Sequence, residues 1–450
     1  MISIRSPGRE GEHSNVKIKA LAFVLAAVLL LCGCGQESGT AAAAPAQAVT
    51  ASAAQSSTVR PVSTGVTPEQ FGAKGDGIAD DLRALQAAMQ QASAAGRPLE
   101  LTAGAVYRFS SCLGLPSGLT IQGNGAVLLS DIQYPDLRED RVAVELMKDS
   151  DDDRAHDVRL ENVTFRAADS CQANYMLRVM RARNVEFVGC TFDCEPNEWG
   201  RGAADLYGGN ENIRFEGCVF RQMTSGASGG IWVRNWTDRV ESRNIRFQNC
   251  EFYKSGADEL LAVWGWGGAV RDVVLSGCSF YETQTQEALD ADHRPVWFIT
   301  LGQSGTTDVR MEDCTVRAEY CETIFRMVGD KTRAVVDNCD ITMKQPDSMA
   351  EHDMKKGANP MLARGNDRAD GSTVIQNSRI TLSGDNGRRI CYQLSALKGN
   401  TLDVSLGCGI ASTKEVSGNT IRGRIRHKVF QDCSGVENNN VDVRRFSILG

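Results

Sequence analysis

"VEFVGCTF" (Val185–Phe192), "IRFEGCVF" (Ile213–Phe220) and "IRFQNCEF" (Ile245–Phe252) are one motif written three times. Its pattern is apolar, any, apolar, any, small or Asn, Cys, any, apolar. The motif stands once before these copies, in "VRLENVTF" (Val158–Phe165), and four times after them. The later copies are "VVLSGCSF" (Val273–Phe280), "VRMEDCTV" (Val309–Val316), "AVVDNCDI" (Ala334–Ile341) and "TVIQNSRI" (Thr373–Ile380). Six copies hold Cys at the same point: Cys190, Cys218, Cys250, Cys278, Cys314 and Cys339, at spacings of 28, 32, 28, 36 and 25 residues.

Alternation with period 2 is a strand signal. The Asn or Gly before each Cys is a residue type that tolerates positive φ, so the chain can turn there. The spacing is too long for an array of hairpins and suits a coil of two or three short strands. One such coil cannot bury its inner face, so coils must stack on one another. In-register stacking sets like residues about 4.8 Å apart along the axis, and the repeat Phe and Cys become interior ladders. Cys is a small buried hydrophobe in that setting. The pairs best suited to a disulfide are Cys190 with Cys194 and Cys314 with Cys321. The open end of a stack needs a cap. "ADDLRALQAAMQQASAAG" supplies a helix with Leu82, Leu85, Ala88, Met89 and Ala92 on one face, Asp80 as its cap and Asp81 at its positive end.

The chain begins differently. Lys17 and Lys19 precede an apolar run, Ala20–Leu31, which is short of the roughly 20 residues that span a bilayer. A basic and then an apolar segment reads as an export signal over residues 1–33. "LCGC" (Leu31–Cys34) resembles the bacterial lipobox, which implies cleavage before Cys34 and a lipid on its thiol. Residues 34–65 are rich in Ala, Ser and Thr and form a flexible tether. The expected location is therefore the bacterial cell envelope, with the chain held on the outer membrane by its lipid. Removing the leader, with four basic and two acidic residues, takes the net charge from −7 to −9. That balance argues against a nucleic-acid partner.

"VTPEQFGAKGDGIADDLRALQAAMQQA" (Val66–Ala92) and "LELTAGAVYRF…GLPSGLTIQGNGAVL" (Leu99–Leu128) resemble the opening of the pectate-lyase superfamily, in the group of rhamnogalacturonases and epimerases. Together with the repeats the resemblance covers nearly all of residues 66–450. It implies an all-β, single-stranded, right-handed parallel β-helix with an N-terminal capping α-helix. It leaves the reaction open, since glycoside hydrolases, polysaccharide lyases, epimerases, phage tail fibres and adhesins share that fold.

All six tryptophans fall between Trp199 and Trp297. With coils aligned on the repeat Cys, Trp199, Asp205 and Tyr207 follow Cys190. Trp232 and Arg234 follow Cys218, and Asp258, Glu259, Trp264 and Trp266 follow Cys250. Asp290, Asp292, His293, Arg294 and Trp297 follow Cys278. Indole faces stack on the C–H face of a sugar, and carboxylates and guanidiniums bind its hydroxyls. The four coils therefore read as a groove for a polysaccharide, with glycines around Trp264 and Trp266 clearing its approach. The catalytic candidates are Asp258, Glu259, Asp205 and His293. The substrate-binding candidates are Trp199, Tyr207, Trp232, Arg234, Trp264, Trp266, Arg294 and Trp297. Asp205 and Asp258, two coils apart, would lie roughly 9–10 Å apart along the axis, marginal for an inverting glycosidase and wrong for a retaining one.

"GADELLAVWG" (Gly256–Gly265) is similar to the Gly-Asp-Asp strand of polygalacturonase-like hydrolases, which gives Asp258 and Glu259 the acid positions. The partner motifs of that family, Asn-Thr-Asp, Gly-His-Gly and Arg-Ile-Lys, do not occur. "IWVRNW" (Ile231–Trp236) is similar to a pectate-lyase strand, but Arg234 stands where that family has an acid, and its Arg-x-Pro-x-x-Arg element is missing. A lyase needs a base and a cation to neutralise the developing charge, roles open to Arg234, Arg294, His293 and Tyr207. Ca²⁺ is the ion such chemistry would add. "DSDDD" (Asp149–Asp153) offers oxygen ligands, yet it lacks a glycine bend and a distal Glu and reads as a solvated loop. No resident cofactor is implied. Hydrolase, lyase and non-catalytic glycan binder or adhesin all stay open.

Detergent partitioning tests the anchor. The native protein should enter the detergent phase and Cys34→Ala should stay in water. Equal partitioning of both into water would remove the lipid.

Overall fold

The computed structural model describes residues 65–133, 141–147, 154–194, 200–225, 230–235, 240–254, 259–282, 297–345, 360–366, 370–384 and 388–444. Cys34, the tether up to residue 64 and Asp149–Asp153 lie outside them.

Each repeat is one turn of a coil that visits three stacks of parallel strands, here named sheets A, B and C. In one coil Ala182–Val188 joins sheet A, Thr191–Asp193 sheet B and Gly200–Tyr207 sheet C. In the next, Glu211–Glu216, Val219–Ser225 and Ile231–Arg234 do the same. Strands pair with their counterparts one coil away, so the whole is a right-handed parallel β-helix. An antiparallel pairing of Gly200 and Arg201 with Ser225 and Thr224 interrupts this pattern locally.

The register shows why the motif repeats as it does. In sheet A, Phe187, Phe215 and Phe247 are direct partners. In sheet B, Phe165, Phe192, Phe220, Phe252 and Phe280 are partners in turn. Strands in a sheet lie about 4.8 Å apart, so rings of the same rotamer must stack face to face. Centroid distances are 4.9 Å for Phe165–Phe192, 4.9 Å for Phe192–Phe220, 5.0 Å for Phe220–Phe252 and 4.6 Å for Phe252–Phe280. The two ladders meet edge-on, as at Phe187–Phe192, 5.9 Å and 65°. Such pairs add about 0.5–1.5 kcal/mol each beyond the area they bury.

From Glu161 onward every turn from sheet A to sheet B has two residues. The first is left-handed: Asn162, Gly189, Gly217, Asn249, Gly277, Asp313, Asn338 and Asn377 have φ of 51–62°. A Cβ at Gly277 would strike the side-chain oxygen of Asn249 one coil back, which explains Gly in that coil. In six of these eight turns the second residue is the repeat Cys, and in the other two it is Val163 and Ser378. The Cys thiol donates to a carbonyl of the preceding coil: Cys218 to Phe187 at 3.3 Å, Cys250 to Phe215 at 3.5 Å, Cys278 to Phe247 at 3.3 Å. In later coils Asn takes the position, and Asn400 donates to the Ile375 carbonyl at 3.0 Å and Asn419 to that of Leu397 at 2.8 Å. Among the described residues, no disulfide joins Cys190 to Cys194 or Cys314 to Cys321. The two suggested disulfides are thus absent, because each repeat thiol is buried and already bonded to backbone. The Cys278 thiol is pushed up to about 12 by contact with the Cys250 thiol, with burial adding to the effect.

The N-terminal helix, Leu82–Ala95, buries Leu85, Ala88, Met89 and Ala92 against strands Leu99–Glu100, Val106–Phe109 and Leu113–Gly114. Its cap differs from expectation. Asp81 holds the N-cap position, but its carboxylate accepts the backbone N–H groups of Lys74 at 2.7 Å and Gly75 at 3.0 Å. Asp80 accepts the Leu82 N–H at 3.2 Å and, on its other oxygen, the Ser110 hydroxyl at 2.5 Å. Two N–H groups of the preceding loop outcompete one at the helix end.

Phe220→Ala, in the middle of a ladder, should destabilise by about 3–5 kcal/mol in chemical denaturation. A loss under about 1 kcal/mol would show that the rings are not needed to hold coil on coil.

Candidate functional site

The turns from A to B never vary from Glu161 onward, whereas the connections that enter or leave sheet C do. Residues 283–296 and 345–362 separate sheet B from sheet C in two coils, while strand Leu261–Ser276 passes from sheet C into sheet A without a break. Variable loops on one face of a constant scaffold mark the place where function is built.

Sheet C aligns its outward side chains in rows. Glu145, Arg178, Asp205, Trp232, Ala262 and Thr300 share one row, which continues to Arg326 and Arg364. Tyr207, Arg234 and Trp264 share the row beside it.

The first cluster is built on Asp205, which is 0% exposed. Arg178 donates to it through Nε at 3.1 Å and Nη2 at 3.0 Å, and Arg234 through Nε at 2.8 Å and Nη2 at 3.0 Å. Burial works against the Arg234 charge, but the hydrogen bonds and charge of Asp205 outweigh it and raise its pKa. The Arg234 guanidinium lies 4.3 Å over the Trp232 ring and 5.3 Å from that of Tyr207. Trp264 continues the stack, its ring 4.9 Å from Trp232 and tilted 31°. Both oxygens of Asp205 are taken by arginines, so this carboxylate orients guanidiniums and is not presented to a substrate. Asp258, which the spacing pairs with Asp205, lies outside the described residues.

The second cluster is built on Glu259, 9% exposed. Its Oε1 accepts the Thr300 hydroxyl at 2.6 Å and lies 3.5 Å from Arg326 Nη1. Arg326 also donates to Gln303 Oε1 at 2.8 Å and lies 4.8 Å over the Trp297 ring. Burial lowers the pKa of Arg326, and the Glu259 charge opposes that. The expected acid is thus a carboxylate fixed by a hydroxyl, beside a cation seated on an indole.

Trp266 is 63% exposed and stands on the same strand as Trp264. Gly265 between them has a packing cause: a Cβ there would strike the Thr306 carbonyl of the next coil. Clearance for a ligand was the expectation at this glycine, and packing against the next coil is a further reason for it. Trp199, Asp258, His293 and Arg294, like Asp290 and Asp292, lie outside the described residues, in connections that lead into sheet C. Sequence reasoning missed Arg178, Thr300, Gln303 and Arg326. For Arg178, Thr300 and Arg326 the signal was a polar residue in most coils at one fixed strand position, but the unequal connections between sheets B and C shift it out of line with the repeat Cys. Among the described residues no group of three or more His, Cys, Asp or Glu side chains is placed to hold a metal ion.

Three solved structures share the course of the backbone. PfbA, a surface adhesin of Streptococcus pneumoniae, is 14% identical, with 82% of this chain and 91% of that one covered at a TM-score of 0.49. The tailspike protein of Acinetobacter phage vB_ApiP_P1 is 12% identical, with 87% and 65% covered at 0.49. The family 28 exopolygalacturonase of Yersinia enterocolitica is 12% identical, with 85% and 79% covered at 0.44. At such identities the likeness is one of fold alone. No curated protein matches the chain. Residues 66–280, from the capping segment through the coil that carries Glu259, Trp264 and Trp266, match the family described as rhamnogalacturonase A/epimerase, pectate lyase-like.

Proposed function

We propose that the outer face of sheet C binds a polysaccharide and that the protein cleaves or modifies it there. One observation carries this reading. Glu259, held by Thr300 and Arg326, stands on the same face as the Trp232–Trp264 stack and exposed Trp266. Rings offer flat apolar surface to a pyranose, and a carboxylate with little water around it is a natural proton carrier. Glu259 is the acid or base of this proposal. Asp258, its neighbour in the chain, and His293, in the connection ahead of Trp297, are the candidate partners. Trp199 and Arg294 are further lining residues, and Tyr207, Arg234 and Trp297 border the chain. Asp205 serves by positioning Arg178 and Arg234. The lipid on Cys34 and the tether would set this groove at the cell surface.

A second reading is a non-catalytic glycan binder of the adhesin type. The Asp205 clamp favours it, because it removes one of the two carboxylates that the spacing had suggested for catalysis.

Affinity electrophoresis through polysaccharide gels, paired with a product assay, separates the two. Trp266→Ala should weaken retention by about 1–3 kcal/mol, the scale of a ring lost from base stacking. Glu259→Gln should keep retention within about twofold, under 0.5 kcal/mol, and lose turnover. If Glu259→Gln lowers retention as far as Trp266→Ala does, and no product forms with either, the groove only binds.

A further inference from the structure

We infer that the outer face of sheet A carries a second glycan site, a polar groove that takes an extended neutral oligosaccharide by its hydroxyl edge. This site does not rest on the reading of sheet C. It is a groove of about 470 Å³ that runs along the axis over four successive coils. That volume falls within the range of ligand-binding clefts, roughly 300–1,000 Å³.

One wall is an amide ladder. Asn184 donates to Asp157 at 2.8 Å, Asn212 to Asn184 at 2.9 Å and Asn244 to Asn212 at 2.6 Å. All four residues are left-handed, with φ of 54–57°, and this stacks their side chains in register. A carboxamide has two N–H donors and an oxygen that accepts twice. The ladder uses one donor of each Asn, so one N–H per coil remains for a ligand.

The other wall is the row Arg159, Glu186, Arg214 and Arg246, which are direct partners across the four strands. Its guanidiniums are held by acceptors on the protein: Arg159 pairs with Glu161 and Glu186. Arg214 donates to Gln248 at 2.9 Å and pairs with Glu216 at 2.7 Å, and Arg246 pairs with Asp272 at 2.7 Å. Nη1 of both arginines keeps its hydrogens for a ligand. The charged lining (Arg159, Arg214 and Arg246 against Asp157 and Glu186) sums to only +1.

No aromatic side chain lines the groove, so it cannot grip a ring face. What it offers is a donor and an acceptor at every coil, repeated at about 4.8 Å. An extended chain of hydroxyl-bearing rings meets that pattern. A polyanion does so less well, because Asp157 and Glu186 face it.

The test uses the mature chain bearing Trp266→Ala, which removes the exposed ring of sheet C, and calorimetric titration with cellohexaose. Binding should persist on that background. Adding Arg214→Ala and Arg246→Ala should weaken it by about tenfold or more, the loss of one or two charge-assisted hydrogen bonds. Asn212→Asp is the gentler variant. Asp157 and Asp272 already hold the same left-handed turn conformation, so the fold tolerates it, and it removes the free amide donor. It should weaken cellohexaose too. Equal affinity in all three proteins, no binding to the background protein, or tighter binding of inorganic polyphosphate than of cellohexaose would each overturn the proposal.

Discussion

Everything in this molecule depends on the two-residue turn between sheets A and B. A left-handed residue reverses the chain, and the next residue reaches back to a carbonyl of the coil before it. Cys does this through a weak thiol bond in six coils and Asn through a stronger amide bond in the last ones. Because side chains alternate with period 2, a slip of one residue would turn every Phe out of the core. The turn prevents that slip. The Phe ladders follow as a geometric result, since rings on partner residues one strand apart have no other comfortable place.

A fixed corner on one side leaves the opposite side free to vary. Sheet C inherits the register of its neighbours, so its outward residues fall into rows whatever the length of the connections beside it. Those rows alternate charge, from Glu145 through Arg178 to Asp205, before they reach Trp232. A carboxylate as buried as Asp205 needs full compensation, and two arginines supply it. The cost of that burial returns as rigidity: Arg234 is held flat over an indole at the edge of the groove. Glu259 accepts the Thr300 hydroxyl and lies 3.5 Å from the Arg326 guanidinium.

Much of this architecture is legible in the sequence, for a physical reason. The repeat motif lies on both sides of the invariant turn, so its strands, its left-handed Asn and Gly positions and its Phe and Cys ladders can be read directly. The site is less legible because it lies beyond the variable connections, where distance from the repeat Cys no longer measures position in the coil. Glu259 and Trp264 could be singled out together because they stand five residues apart in the sequence, at and just before one strand. Arg326 could not, because it belongs to a coil two turns further on. The two arginines that hold Asp205 were not foreseen, since spacing along the axis says nothing of which way a carboxylate is turned. At Asp80 residue type suggested the helix cap, but Asp81 holds that position and turns its carboxylate to the N–H groups of the preceding loop. At Gly265 the nearness of the next coil adds a reason for glycine that residue type alone does not reveal.

The central claim is that the sheet C face does chemistry on a polysaccharide. Its most direct measurement is the mass of products after incubating the mature protein with a panel of neutral and acidic polysaccharides. Fragments that have gained water would show hydrolysis, and unsaturated fragments would show elimination. The account predicts one of these from the wild-type chain and neither from Glu259→Gln. Polysaccharides that all return intact from the wild-type protein, while being retained by it, would contradict the enzymatic account and leave a binding groove.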